Sequence, residues 1–330
     1  MAIRIGATAV KKVYLGTNKV KLMYVDKNLV FADPQTLSIN IGTGISSVTY
    51  TATAIDGKVS TGTLYSTASL SFGYGTAVSF SYSLMTGYQI NGYSSSVTMT
   101  SDKSVSFTAT AKSYSVYLQL RYGGTSYGSD LGSIQYSTNN STWNTTTGTT
   151  LSLKYGSTLY LRNVTALPGF KLSSIQYNGV TQSASGGVYK ITVGAGNYYL
   201  AINYAAQSVS SSISFAQAES ITTNTLTKSG FTVNFNINIR VKQCAAGSVI
   251  GTVPLYYRPG SAKTYTTNWK VQTGSFQETT QAKITIRTDG SIVSDTESTG
   301  SGSDGGGAKW GSYVINWYTQ ISISGSWSTR

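Results

Sequence analysis

The sequence predicts an all-β protein, and three observations predict it. The 330 residues include 25 Tyr and 35 Gly beside abundant Ser and Thr. β-Branched and aromatic residues fit a pleated, half-buried surface, and Gly supplies the turns between strands. Apolar and polar residues alternate with a period of two over residues 76–82, 104–109 and 231–239. No stretch carries a sustained 3.6-residue apolar period; the nearest, around residues 216–228, reads equally as a helix or a linker. Only 11% of the residues are charged, yet Tyr, Trp and Phe recur at strand spacing, which argues for a folded chain rather than a disordered one.

The first element is a ten-residue repeat. Arg4-Ile5-Gly6-Ala7-Thr8-Ala9-Val10 stacks on Tyr14-Leu15-Gly16-Thr17-Asn18-Lys19-Val20 and on Tyr24-Val25-Asp26-Lys27-Asn28-Leu29-Val30. Each line holds an apolar pair, a Gly or Asp turn and a Val, so a small meander is expected, with Val10, Val20, Val30 and the Tyr residues on one side. A piece this short buries too little surface to stand alone. Residues 1–34 are therefore read as an attachment module, with Lys11, Lys12, Tyr14, Lys19, Lys21 and Tyr24 as its candidate contacts. The formal charge of +13 has its densest cluster here, six basic residues against Asp26 alone in the first 27 positions. Elsewhere the basic residues are scattered, which makes an acidic protein at least as good a partner for the N-terminus as nucleic acid, with a merely solvated face as the third reading.

Two longer units follow, residues 35–112 and 113–206, which share an order of landmarks. Tyr74-Gly75-Thr76 corresponds to Tyr155-Gly156-Ser157, 81 positions on, and Gly87-Tyr88 to Gly169-Phe170, 82 positions on. Register held over that distance predicts a duplicated domain, each copy a small antiparallel Ig-like β-sandwich with turns at Asp56-Gly57 and Asn178-Gly179. Residues 207–330 differ in character. They hold four of the five Trp, longer alternating strands, an Asp289-Gly290 turn and a flexible Ser/Gly/Asp run at residues 298–307, and they end on a strand expected over residues 313–323. That content predicts a jelly-roll-like C-terminal domain.

Chemistry is largely excluded. With no His, nucleophilic triads and His-ligated metal sites are ruled out, and one cysteine, Cys244, allows neither an intrachain disulfide nor a Cys-based zinc site. Of the 11 acids, Asp33, Asp56, Asp289 and Asp304 occupy turn contexts, and Glu219, Glu278 and Glu297 form no visible pair of the kind glycoside hydrolysis needs. The chain is expected to be non-enzymatic, with no catalytic residue, cofactor or metal. Residues 1–12 lack a secretory apolar run and no segment is apolar enough to span a bilayer, so the product is expected to stay in the cytoplasm or to leave by lysis.

The run Val13-Tyr14-Leu15-Gly16-Thr17, with Val20-Lys21-Leu22-Met23-Tyr24 after it, resembles the short N-terminal repeat of bacteriophage virion proteins on tails, fibres and head decorations. Ile250-Gly251-Thr252-Val253-Pro254-Leu255-Tyr256-Tyr257-Arg258-Pro259 is similar to the terminal β-domain of phage fibres. Gly87-Tyr88 with Asp102-Lys103-Ser104-Val105 resembles bacterial surface repeats, although Gly92-Tyr93 stands where those carry Gly-Trp. The two ends together imply a head fibre or capsid decoration protein on the virion surface, docked by its N-terminus on capsid, portal or tail components. The alternatives are a tail fibre or baseplate protein that binds a host glycan or protein, and a cell-surface adhesin. Trp310, Tyr257 and Arg258 are the candidate surface-recognition residues, and the fibre likeness implies a homo-oligomer of the trimeric kind.

Overall fold

The computed structural model describes the chain apart from residues 1–3, 6–7, 10–11, 243–245, 274–275, 296–298, 302–306 and 310–317, and it describes no side chains at 1–11, 242–245, 268–282 and 296–319. Strands make up every described element except two short 3-10 turns, Gly128–Asp130 and Leu255–Tyr257. The chain divides into two compact units. The first is Met1–Tyr117 with Thr150–Tyr160 and Lys190–Tyr198; the second is Leu118–Thr149, Leu161–Tyr189 and Tyr199–Arg330. Segment 113–206 contributes to both.

The first unit begins with three separate hairpins. Arg4–Ile5 pairs with Thr8–Ala9, Val13–Leu15 with Asn18–Val20, and Leu22–Val25 with Asn28–Ala32. Their register repeats every ten residues: Arg4 faces Ala9, Tyr14 faces Lys19 and Tyr24 faces Leu29. Each line of the repeat is thus a whole hairpin and not one strand of a continuous meander. The Gly16-Thr17 and Asp26-Lys27 turns fall inside each line, and Asp26 takes a φ of 56° to make its turn. Val13 opposes Val20 while Tyr14 opposes Lys19. Because side chains alternate sides at every residue, Tyr14 and Val20 lie on opposite faces, not on the shared face expected of them.

A β-sandwich follows. One sheet has the strand order Ala68–Gly73, Pro34–Ile41, Lys103–Ala111, Tyr88–Gly92; the other runs Ser96–Thr98, Ala77–Leu84, Ile45–Thr53, Val59–Leu64. Pairing is antiparallel except where Lys103–Ala111 lies parallel to Pro34–Ile41. Alternation drives Leu37, Ile39, Val105 and Phe107 from one sheet against Val48, Ala52 and Val78 from the other, a core from which water is excluded. Each such large apolar side chain contributes roughly 1.5–3 kcal/mol by its burial.

A single residue leads into this sandwich. The Asp33 N–H donates to the Lys21 carbonyl and the Asp33 carbonyl accepts the Tyr74 N–H, both at 2.7 Å. Lys112 does the same at the sandwich's far end: its N–H donates to the Gly87 carbonyl and its carbonyl accepts the Tyr155 N–H, both at 2.8 Å. Three residues after each connector, a side chain fixes the backbone, Asp102 Oδ1 accepting from Thr36 N–H and Asn197 Oδ1 from Ser115 N–H, both at 2.7 Å. The corners match as well. Gly75 N–H donates to Met99 O at 2.8 Å, and Gly156 N–H donates to Val193 O at 2.9 Å. These bonds recur at the landmark positions of residues 35–112 and 113–206.

In the second unit, Phe170–Tyr177 pairs with Tyr198–Ala206 and turns back on Val180–Thr181 across Asn178-Gly179. A third connector, Gln207, donates its N–H to the Gly169 carbonyl at 2.8 Å. Beyond it lies one eight-stranded antiparallel sheet in the order Val209–Ser211, Ala218–Ser229, Thr232–Lys242, Tyr318–Ser328, Lys263–Thr273, Phe276–Ile286, Ser291–Ser294, Val249–Thr252. A bridge from Ser214 to Thr252 draws its two edges together, so the sheet curls around Leu226, Val233, Phe235, Ile237, Ile284, Ile286 and Trp327. The C-terminal domain is thus a single curled sheet, with Ala218–Ser229 and Thr232–Lys242, and Lys263–Thr273 and Phe276–Ile286, paired as hairpins. Residues 216–228, open between helix and linker in the sequence, form most of the strand Ala218–Ser229.

Candidate functional site

The N-terminal hairpins are the candidate attachment surface. Each is a two-stranded sheet without further strand partners among the described residues, so its outer backbone edges are open. The second hairpin exposes Tyr14 (55%) and Leu15 (79%), and the third exposes Tyr24 (47%) and Val25 (58%). The repeat register puts these two apolar pairs at the same place in each hairpin. Leu15 and Val25 were not singled out from the sequence, where an apolar residue in a strand reads as core; their place beside a two-residue turn was the available signal.

The lysines separate into two groups. Lys12 and Lys27 are exposed. Lys19 is ion-paired with the buried carboxylate of Asp33, which also accepts a 2.6 Å hydrogen bond from Gln35 Nε2. The Lys21 ammonium lies 4.9 Å from the centroid of the Tyr74 ring. Lys19 and Lys21 thus hold the hairpins to the sandwich. Lys11 lies outside the described residues.

Of the expected recognition residues, Trp310 lies outside the described residues, as do Trp317 and Cys244. Tyr257 is a correction: it is 6% exposed, packed in the C-terminal core, with its carbonyl accepting the Trp327 indole N–H at 2.7 Å and its phenol pKa raised by burial. Arg258 is half-buried and its Nε donates to the Val253 carbonyl at 3.3 Å, so it braces the loop around the 3-10 turn.

Three successive rows of the outward face of the C-terminal sheet are uncharged across three adjoining strands. Thr227, Asn234 and Ser326 stand side by side, then Thr225, Asn236 and Ser324, then Thr223, Asn238 and Ser322. Each strand contributes one residue type, and all nine groups both donate and accept hydrogen bonds.

No group of His, Cys, Asp or Glu able to hold a metal ion occurs among the described residues, and no helix there is long and apolar enough to cross a membrane. No family model and no curated protein matches the chain. Among solved structures it is similar to the Bacillus anthracis TIE protein, with a TM-score of 0.36 and 9% identity over 90% of this chain and 48% of that one. It is similar also to the pilus adhesin SpaC from Lactobacillus rhamnosus GG (TM-score 0.24, 10% identity, 79% of this chain and 39% of that one). A third is the major pilin T-13 of Streptococcus pyogenes (TM-score 0.24, 10% identity, 54% of this chain and 98% of that one). The chain spans less than half the length of the first two.

Proposed function

We propose that the chain is a non-enzymatic structural protein of a bacteriophage virion, a head fibre or capsid decoration, mounted through its N-terminal hairpins with the C-terminal domain outward. One observation carries the reading. The hairpins repeat in register and present the same exposed apolar pair, Tyr14-Leu15 and Tyr24-Val25, beside open strand edges. Two-stranded hairpins are marginal in water, and exposed apolar side chains beside free backbone groups gain stability from a neighbour that covers them. The occupant that fits is a virion shell protein offering a strand edge and, opposite Lys12 and Lys27, acidic side chains.

Subunit-resolved imaging of particles tests the mount; virions that lack this chain while it decorates the host cell surface would replace the reading by that of an adhesin. The contact itself is tested by two double variants. Leu15→Lys with Val25→Lys is expected to strip the protein from particles, and Lys12→Glu with Lys27→Glu to weaken its retention in a salt-dependent way. Full retention of both variants would remove the hairpins as the mount.

A further inference from the structure

The second unit holds a guanidinium that is fixed in place with its binding edge unused. Arg162, in the strand Thr158–Ala166, stacks on Trp143 with its Cζ 3.9 Å from the ring centroid. Its Nε donates to Gln135 Oε1 at 3.0 Å, and Asn163 Nδ2 donates to the same oxygen at 2.9 Å. Two donors on Oε1 fix the orientation of the Gln135 carboxamide, so its NH2 group is left facing away from them. Asn163 has a φ of 48°, in the left-handed region that a non-glycine residue occupies at a cost, and that conformation accompanies its reach to Gln135. Gln135 is itself positioned by pairing of the strand Gly132–Ser137 with Asn144–Thr146, in which Gln135 faces Thr145 next to Trp143.

Neither Nη of Arg162 makes a hydrogen bond or ion pair among the described residues. The nearest acid in sequence, Asp130, is paired with Arg330 at 2.7 Å. A surface arginine that only covers an indole gains from the stack alone; here the Nε is also spent on an internal acceptor and two side-chain amides converge beside the fork. Holding the stem and the Nε leaves Nη1 and Nη2 as a planar pair of donors, the geometry that takes a carboxylate bidentately. Beside them are neutral groups that suit hydroxyls, the side-chain amides of Gln135 and Asn163, with Trp143 as the apolar wall.

We propose that Arg162, Trp143, Gln135 and Asn163 form a binding site for a carboxylate-bearing sugar, of the uronic or sialic acid class. The site stands whether or not the chain is mounted on a virion. Its fork binds the carboxylate and its amides bind the ring hydroxyls.

The test is calorimetric titration of the full chain with a uronic acid oligosaccharide and a sialylated oligosaccharide, each beside its methyl ester. Saturable binding of at least one acid, weakened tenfold or more by esterification, is expected. Arg162→Lys keeps the charge and the stem but loses the fork, and it should weaken binding about tenfold with an unchanged thermal midpoint. Trp143→Leu, which frees the guanidinium, should weaken it several-fold. Absence of binding by both acids, equal binding of acid and ester, or undiminished binding by Arg162→Lys would each overturn the proposal.

Discussion

Gly87 has a φ of +84°, and a Cβ there would overlap the ring of Tyr155, which stacks edge-on against Tyr88 at 5.8 Å. Gly156 has a φ of +76° with open space around it. The two share a backbone penalty and differ in room. Gly156→Ala should therefore cost about 1–2 kcal/mol, the left-handed strain alone. Gly87→Ala should cost about 1–3 kcal/mol more, through displacement of the ring, and paired denaturant melts check the difference. Tyr204 makes a pH prediction. Its hydroxyl donates to the Thr165 carbonyl at 2.8 Å, and burial pushes its pKa up to about 12 from 10.0. The unfolded chain gives up this proton first, so stability is intact below pH 10 and falls as pH rises toward 12. Melts over that window should show the fall, and Tyr204→Phe should make it shallower. At this scale the sequence was a partial guide. Charge and position are visible in a sequence, but Lys19 and Lys21 are distinguished from Lys12 and Lys27 only by where Asp33 and Tyr74 come to lie. Tyr257 read as surface, where Leu255 and Tyr256 beside it do lie, but the 3-10 turn carries it inward.

Among elements, the hairpins and the central strand of the C-terminal sheet are opposite extremes. Val13–Leu15 has one partner strand, whereas Thr232–Lys242 is bonded along its length to Ala218–Ser229 on one side and Tyr318–Ser328 on the other. Amide exchange should follow. Residues 13–20 should exchange near the rate of an unstructured chain and Thr232–Lys242 only on global unfolding, with residues 13–20 gaining protection once bound to their partner. Comparable protection of the two in the free protein would contradict the open-edged reading of the hairpins. Elements were legible where the period of two runs unbroken, as in Thr232–Lys242. They were not where bulges interrupt it. The strand Ala218–Ser229 shifts register between Ala218 and Ser220 and again between Ile221 and Thr223, and each extra residue displaces the alternation that identifies a strand.

For the whole molecule, the landmarks coincide with backbone bonds that recur at matching positions. Tyr74 and Tyr155 each donate to a connector carbonyl, and Gly87 and Gly169 each accept from the next connector. The curl of the C-terminal sheet was not legible, since it depends on the Ser214–Thr252 bridge between segments that no local pattern associates. The candidate sugar site was likewise hidden: Gln135, Trp143 and Arg162 are each ordinary in sequence and become a group only through strand pairing. One prediction belongs at this scale. Phe170 packs at 4.9 Å on Phe231, with Tyr122 5.2 Å from Phe170 and Tyr127 5.0 Å from Phe231. A chain ending at residue 206 should expose this cluster and show lower thermal stability and a tendency to self-associate in sedimentation; a monomer as stable as the full chain would show the cluster to be dispensable.

Asp33 and Lys112 are each a linker one residue long. A hinge of that length has no slack, because inserting one residue reverses which side of the next strand faces the core. Lineages that lengthen or shorten such a protein would then be confined to whole copies cut at those two positions. The connectors are thus the places where a spliced chimera should still fold.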